Sequence, residues 1–111
     1  MGLDKNERLK IIHGDAIEEL KKIPNESIDL IVTDPPYNLN KDYGESKDNL
    51  FHDEYLELSR KWLKEAHRIL KKVGTIYIFM GMRYIYYIYM ILEAELNMHF
   101  NSWIVWHYTQ G

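Results

Sequence analysis

The sequence contains no cysteine. That excludes disulfides, thiolate metal sites and a cysteine nucleophile, and it fits a reducing compartment. Glycine is scarce: the six stand at positions 2, 14, 44, 74, 81 and 111, and no two of them form a Gly-x-Gly step. Positive charge is in deficit. The net charge of −3 is the wrong sign for a module that grips nucleic-acid phosphates on its own. Long apolar runs are lacking too. The densest, residues 84–92, is too short to cross a bilayer, and residues 1–10 are polar and charged, without the pattern of a signal peptide. These absences lead us to expect a soluble, cytoplasmic protein with no membrane partner.

What is present fits one small domain. A chain of 111 residues makes at most one, and 46% apolar residues suffice for a packed core. No repeat or low-complexity tract interrupts it. Strand-like and helix-like segments alternate, which predicts an α/β fold with a parallel sheet. Strands are expected at residues 9–13, 28–33, 75–80 and 102–108, and helices at 16–23, 53–72 and 83–96. Helix 53–72 is the clearest: Tyr55, Leu56, Trp62, Leu63, Ala66, Ile69 and Leu70 recur at helical spacing, with Lys71, Lys72 and then Gly74 as a stop. Residues 38–49 form a polar connection that either closes over a ligand or merely links two elements.

Asp34-Pro35-Pro36-Tyr37 follows directly on the β-branched run Ile28-Asp29-Leu30-Ile31-Val32-Thr33. This places it at the carboxyl edge of a parallel sheet, where α/β proteins put their ligands. The group suits alkylation of an aromatic exocyclic amine. The lone pair of such an amine is delocalised into the ring. A catalyst that accepts hydrogen bonds from both N–H groups pulls the nitrogen toward tetrahedral geometry and frees that pair. The Asp34 carboxylate is a strong acceptor, and the Pro35 carbonyl supplies a second. Two prolines fix φ and remove two N–H groups, so the turn is stiff. Tyr37 offers a ring on which a base can stack. A rigid surface turn is the bland alternative, and the placement after a buried strand, with Gly14-Asp15 upstream, argues against it. Asp15 itself has two readings: an acceptor for a ribose or adenine amino group at the sheet mouth, or the N-cap of helix 16–23, with Glu18 three residues on.

Taken together, these residues resemble the amino-terminal catalytic portion of the β-group DNA amino-methyltransferases, which modify adenine N6 or cytosine N4. The resemblance runs through Gly14-Asp15, residues 29–33, Asp34-Pro35-Pro36-Tyr37-Asn38-Leu39, Lys41-Asp42-Tyr43-Gly44, Trp62…Glu65…Arg68-Ile69-Leu70, Gly74-Thr75-Ile76-Tyr77-Ile78 and Trp106, and so covers nearly the whole chain. It implies part of a Rossmann-like, S-adenosylmethionine-dependent methyltransferase fold, incomplete here. It implies duplex DNA as substrate, with the target base flipped out, and a setting in restriction and modification. By resemblance, Asp34, Pro35, Pro36 and Tyr37 hold the base, while Asp15, Ala16 and Asp34 lie at the cofactor. Trp106 and Tyr108 line the base pocket or pack in the core. Asp before Pro-Pro-Tyr leans toward adenine N6, since Ser is commoner in the cytosine-N4 enzymes. The absence of cysteine excludes the covalent cytosine-C5 route.

The chain departs from this family in lacking the Phe-x-Gly-x-Gly methionine loop and the target-recognition region. We therefore expect residues 1–111 to be the catalytic part of a domain completed by a second segment that carries both. In the family's sheet the first two strands lie between the third and fourth, and this chain would supply only the third, fourth, fifth and one of the last two. Alternatives remain: a cytosine-N4 enzyme, an enzyme acting on an amine in RNA or protein, or an inactive remnant serving as an interaction module. The five histidines show no metal-ligand spacing on one element, and no metal is expected. Tyr84, Tyr86, Tyr87 and Tyr89 read as core or interface rather than a stacking face. Arg60, Lys61, Lys64, Arg68, Lys71 and Lys72 read as a solvated helix face.

Overall fold

The computed structural model describes residues 8–39 and 51–109. Its centre is a pair of parallel strands. β1 (Ile28–Thr33) lies where the β-branched run predicts it, and β2 (Leu70–Ile78) pairs with it through Leu30↔Thr75, Ile31↔Ile76, Val32↔Tyr77 and Thr33↔Ile78. Parallel neighbours need a crossover, and α2 (His52–Ile69) is that crossover. The expected α/β arrangement with a parallel sheet is the one observed.

α2 stops earlier than the sequence suggests, at Ile69 rather than at 72. The reason lies in its last carbonyls. Those of Arg68 and Ile69 accept the backbone N–H groups of Glu26 (2.9 Å) and Ser27 (2.8 Å). The residues leading into β1 thus satisfy the helix end, and no glycine cap is needed. Leu70 then turns extended (φ −76°, ψ 133°) and starts β2. Gly74 is not a helix stop but lies within β2, beside a register irregularity between Ile28 and Leu30. A Cβ there would lie 2.7 Å from Leu70 Cδ1 and 3.0 Å from the Asp29 carbonyl oxygen, so the strands meet at this point only because the side chain is missing.

α1 is also shorter than predicted, Ala16–Leu20 instead of 16–23. The Arg68 guanidinium intercepts the chain after it, donating to the carbonyls of Leu20 (Nη2, 2.8 Å) and Ile23 (Nη1, 2.8 Å) and to Asn25 Oδ1 (2.6 Å). Arg68, expected on a solvated face, is instead the joint between α1 and α2. Glu65 fixes its Nε at 3.0 Å. The helix expected at 83–96 is present as α3 (Met82–Met90) and a π-helical turn, Ile91–Glu95. The Leu96 N–H closes that turn on the Ile91 carbonyl at 3.0 Å, and Asn97 ends it at φ 54°. Arg60 ties α2 to the turn through Glu95 (2.9 Å). The hydrogen bond to Glu95, then that to Glu57, holds the Arg60 guanidinium pKa above its ordinary value.

Leu63, Ile88 and Ile91 form the core, with Trp62, Ile78, Met80, Leu92 and Leu96 around them. Tyr55, Leu56 and Tyr84 form a second cluster that also reaches Met80. The two faces of the sheet differ. Ile31, Thr33, Ile76 and Ile78 are half-buried, whereas Leu30, Val32 and Tyr77 are exposed. Two expected strands are not observed. Residues 9–13 make only an isolated bridge at Lys10, and residues 102–108 are irregular. A strand persists by pairing, and among the described residues neither segment gains a ladder; Ile11, Ile104 and Val105 stay exposed. Among the described residues no helix is long and apolar enough to cross a membrane.

Candidate active site

The turn after β1 begins where the ladder ends. The Thr33 carbonyl accepts the Phe79 N–H at 3.0 Å, and Asp34 emerges exposed at that edge. The Tyr37 hydroxyl donates to Asp34 Oδ1 at 2.6 Å, which closes the four residues into a ring of contacts. The Pro36 carbonyl accepts the Tyr55 hydroxyl of α2 at 2.6 Å. Among the described residues no donor engages the Pro35 carbonyl or the second Asp34 oxygen. Of these four acceptors, Asp34 Oδ1 and the Pro36 carbonyl are taken by tyrosine hydroxyls, while Asp34 Oδ2 and the Pro35 carbonyl meet no donor among the described residues.

Beneath the turn lies a polar, aromatic bed. Asn38 takes a left-handed conformation (φ 60°), which Asn tolerates better than most residues. It is buried, and its Nδ2 donates to the Tyr84 hydroxyl at 3.3 Å. That hydroxyl also lies 3.3 Å from His52 Nδ1. The Tyr84 ring packs 4.4 Å from Tyr55 and stacks at 5.5 Å on His52. Gly81 backs Tyr37. A Cβ there would meet Tyr37 Cδ2 at 3.4 Å, the near limit of ordinary contact. Tyr55, Asn38, His52 and Tyr84 were not singled out as site residues from sequence. The one signal that could have found them is the Asn directly after the turn, a residue suited to positive φ.

The remaining expected residues are placed less closely. Asp15 Oδ2 accepts the Glu18 N–H at 3.0 Å, so the N-cap reading is what the structure shows; Ala16 opens α1, and both are exposed. Trp106 and Tyr108 are not core residues, being 74% and 67% exposed. The Trp106 ring reaches Phe79 at 6.0 Å, next to the Thr33 edge. Tyr108 makes no aromatic contact among the described residues. Tyr84 is buried as expected of that run, whereas Tyr86 is exposed. Among the described residues no cluster of three His, Asp or Glu is placed to hold a metal.

A family model described as DNA methylase matches residues 28–111. The chain belongs to the N6/N4 DNA methylase family. The matched region starts on the first residue of β1 and takes in the turn, α2, β2 and α3. Curated relatives agree. The type II methyltransferase M.HpaI of Haemophilus parainfluenzae is 62% identical over 102 residues, which are 92% of this chain and 32% of that protein. The DNA adenine methyltransferase YhdJ of Escherichia coli (strain K12) is 43% identical over 110 residues, 96% of this chain and 35% of its own. The type II methyltransferase M.BamHI of Bacillus amyloliquefaciens is 36% identical over 96 residues, 86% and 22% respectively. The chain therefore spans about a third or less of the length of these relatives.

Proposed function

We propose that this chain supplies the base-holding part of an enzyme that transfers a methyl group from S-adenosylmethionine to adenine N6 in duplex DNA. The observation that carries the reading is the turn itself: an exposed carboxylate and, next in the chain, a Pro35 carbonyl that no donor among the described residues engages, at the carboxyl edge of a parallel sheet.

In this reading one N–H of the flipped-out adenine amine donates to Asp34 Oδ2 and the other to the Pro35 carbonyl. The nitrogen lone pair is then free to form the N–C bond. Positive charge grows on nitrogen during transfer, and the preorganised carboxylate stabilises it with little reorganisation. Asp34 holds the departing amine proton until water removes it. The Tyr37 ring stacks on the base. Stacking of about 1–3 kcal/mol per base helps offset extrusion from the duplex. S-adenosylmethionine supplies, when bound, a methyl group on a sulfonium sulfur that leaves with the bonding pair.

The described residues fit that cofactor in part. Exposed Asp15, with Ala16 next in the chain, offers an acceptor for its hydroxyl or amino groups, and Asp34, turned to the base, borders the transferred methyl group. A glycine-rich cradle for its methionine end does not occur in this sequence. We therefore assign that end, and the recognition of the DNA sequence, to a second polypeptide segment. Two observations support adenine over cytosine: Asp34 stands at the head of the turn, and the 43% identical relative is a DNA adenine methyltransferase. The test is methyl transfer from tritiated S-adenosylmethionine to DNA, by the chain alone and with any co-encoded chain bearing Phe-x-Gly-x-Gly. Label on adenine N6 that disappears in Asp34→Ala is the expected result. Label on cytosine N4, or unchanged label in Asp34→Ala, refutes the reading.

A further inference from the structure

We propose that Tyr55 is a positioning residue for methyl transfer: its hydroxyl draws the Pro36 carbonyl away from the substrate side and so leaves Pro35 as the turn's one backbone acceptor. The proposal rests on the reading above. It deepens that reading by assigning the selection between two adjacent carbonyls to a side chain on another element.

Two successive prolines present two carbonyls, and neither residue has an N–H to anchor it. Proline fixes φ, and Pro36 restricts ψ of Pro35 before it, but ψ of Pro36 is left to its surroundings. Something must set the peptide plane between Pro36 and Tyr37. Tyr55 is 3% exposed, and its hydroxyl meets the Pro36 carbonyl at 2.6 Å. Met80 Sδ also lies within reach, at 3.5 Å. A hydroxyl has one proton, and thioether sulfur is a weak acceptor, so the carbonyl takes it. The ring cannot turn away. It packs against Tyr84 at 4.4 Å, whose own hydroxyl meets Asn38 and His52.

The peptide plane that Tyr55 fixes also carries the N–H of Tyr37. The position of the Tyr37 ring follows from it, and with it the hydroxyl that holds Asp34 Oδ1. One bond from α2 therefore bears on two of the groups proposed to touch the base, the Tyr37 ring and, through its hydroxyl, the Asp34 carboxylate, and it occupies the carbonyl that would compete with Pro35. Asn38 and Tyr84 pin the other end of the turn. Tyr55 needs no contact with substrate to do this.

The test is Tyr55→Phe in the methylation-competent preparation, beside Asp34→Ala and a core control, Ile91→Val, which thins the packing away from the turn. Removing the hydroxyl keeps the ring and its packing. We expect kcat to fall about a hundredfold, the loss typical of a group misplaced by an ångström, with KM for DNA and for S-adenosylmethionine within a fewfold of the parent. Ile91→Val should lower the melting temperature and leave kcat unchanged. A second readout is independent of turnover. In tyrosine-labelled protein, with signals assigned through Tyr37→Phe, the Tyr37 ring resonances should shift and broaden in Tyr55→Phe and stay in place in Ile91→Val. Unmoved Tyr37 signals, or an unchanged kcat in an active preparation, overturn the proposal. Full activity in Asp34→Ala overturns the functional reading instead, and the Tyr37 resonances still decide the role of Tyr55.

Discussion

Tyr37 carries two separable properties on one side chain, a ring and a hydroxyl. The hydroxyl holds Asp34 Oδ1, and the ring faces Gly81. Tyr37→Phe should lower turnover severalfold through a looser carboxylate, while Tyr37→Ala should cost about 1–3 kcal/mol more in base binding, the usual value of one stacked base. Titration of the variants with DNA holding a mismatch at the target, where flipping is cheap, should narrow the gap between them. Arg68 poses a different residue-scale question. Its planar fork reaches three carbonyl-type oxygens at once, and a lysine has no such geometry. Arg68→Lys is expected to lower stability by about 2 kcal/mol, because partly buried carbonyls lose their donors; chemical denaturation measures it. Asp34-Pro35-Pro36-Tyr37 was legible because its groups stand consecutively and their chemistry is carried by residue type. Tyr55 was not. A tyrosine at an apolar helical position reads as packing, and nothing local indicates that its hydroxyl meets a carbonyl across a crossover.

Elements were legible where local pattern decides them. β1 matches its β-branched run, and α2 its apolar stripe. The limits of α1 and α2 were not, because groups far away in sequence set them. Arg68 takes the carbonyls after α1, and Glu26 and Ser27 take those ending α2. Gly74 shows the same lesson in reverse. Its composition signal is a helix stop, and its use is a close approach between strands. Gly74→Ala should therefore destabilise the chain by about 1–3 kcal/mol through overpacking against Leu70 and the Asp29 carbonyl. Thermal unfolding tests this, and a variant as stable as the parent would show that the strands separate freely there. Residues 9–13 and 102–108 have strand-like composition without a ladder, since composition supplies one partner of a pair and pairing requires two.

At the scale of the molecule, one face of the sheet is bare. Leu30, Val32 and Tyr77 expose large apolar side chains there, as Trp103 to Trp106 do elsewhere in the chain, and exposed apolar surface of this kind favours association. We expect the isolated chain to self-associate or unfold without a sharp transition, and a second segment to restore both solubility and cooperativity. Sedimentation and calorimetry on the two preparations distinguish the cases, and a monomeric, cooperatively unfolding isolated chain would remove the need for a partner. A final consequence follows from how α2 is fastened. Its far end is sewn to the entry of β1 by Glu26 and Ser27, and near its start Tyr55 is sewn to the exit of β1 at Pro36. Strand and helix thus form a closed circuit. One residue inserted within α2 turns everything before it by about 100°, swinging Tyr55 off its carbonyl. Insertions and deletions between Tyr55 and Arg68 should therefore be rejected, which a scanning library selected for methylation would expose.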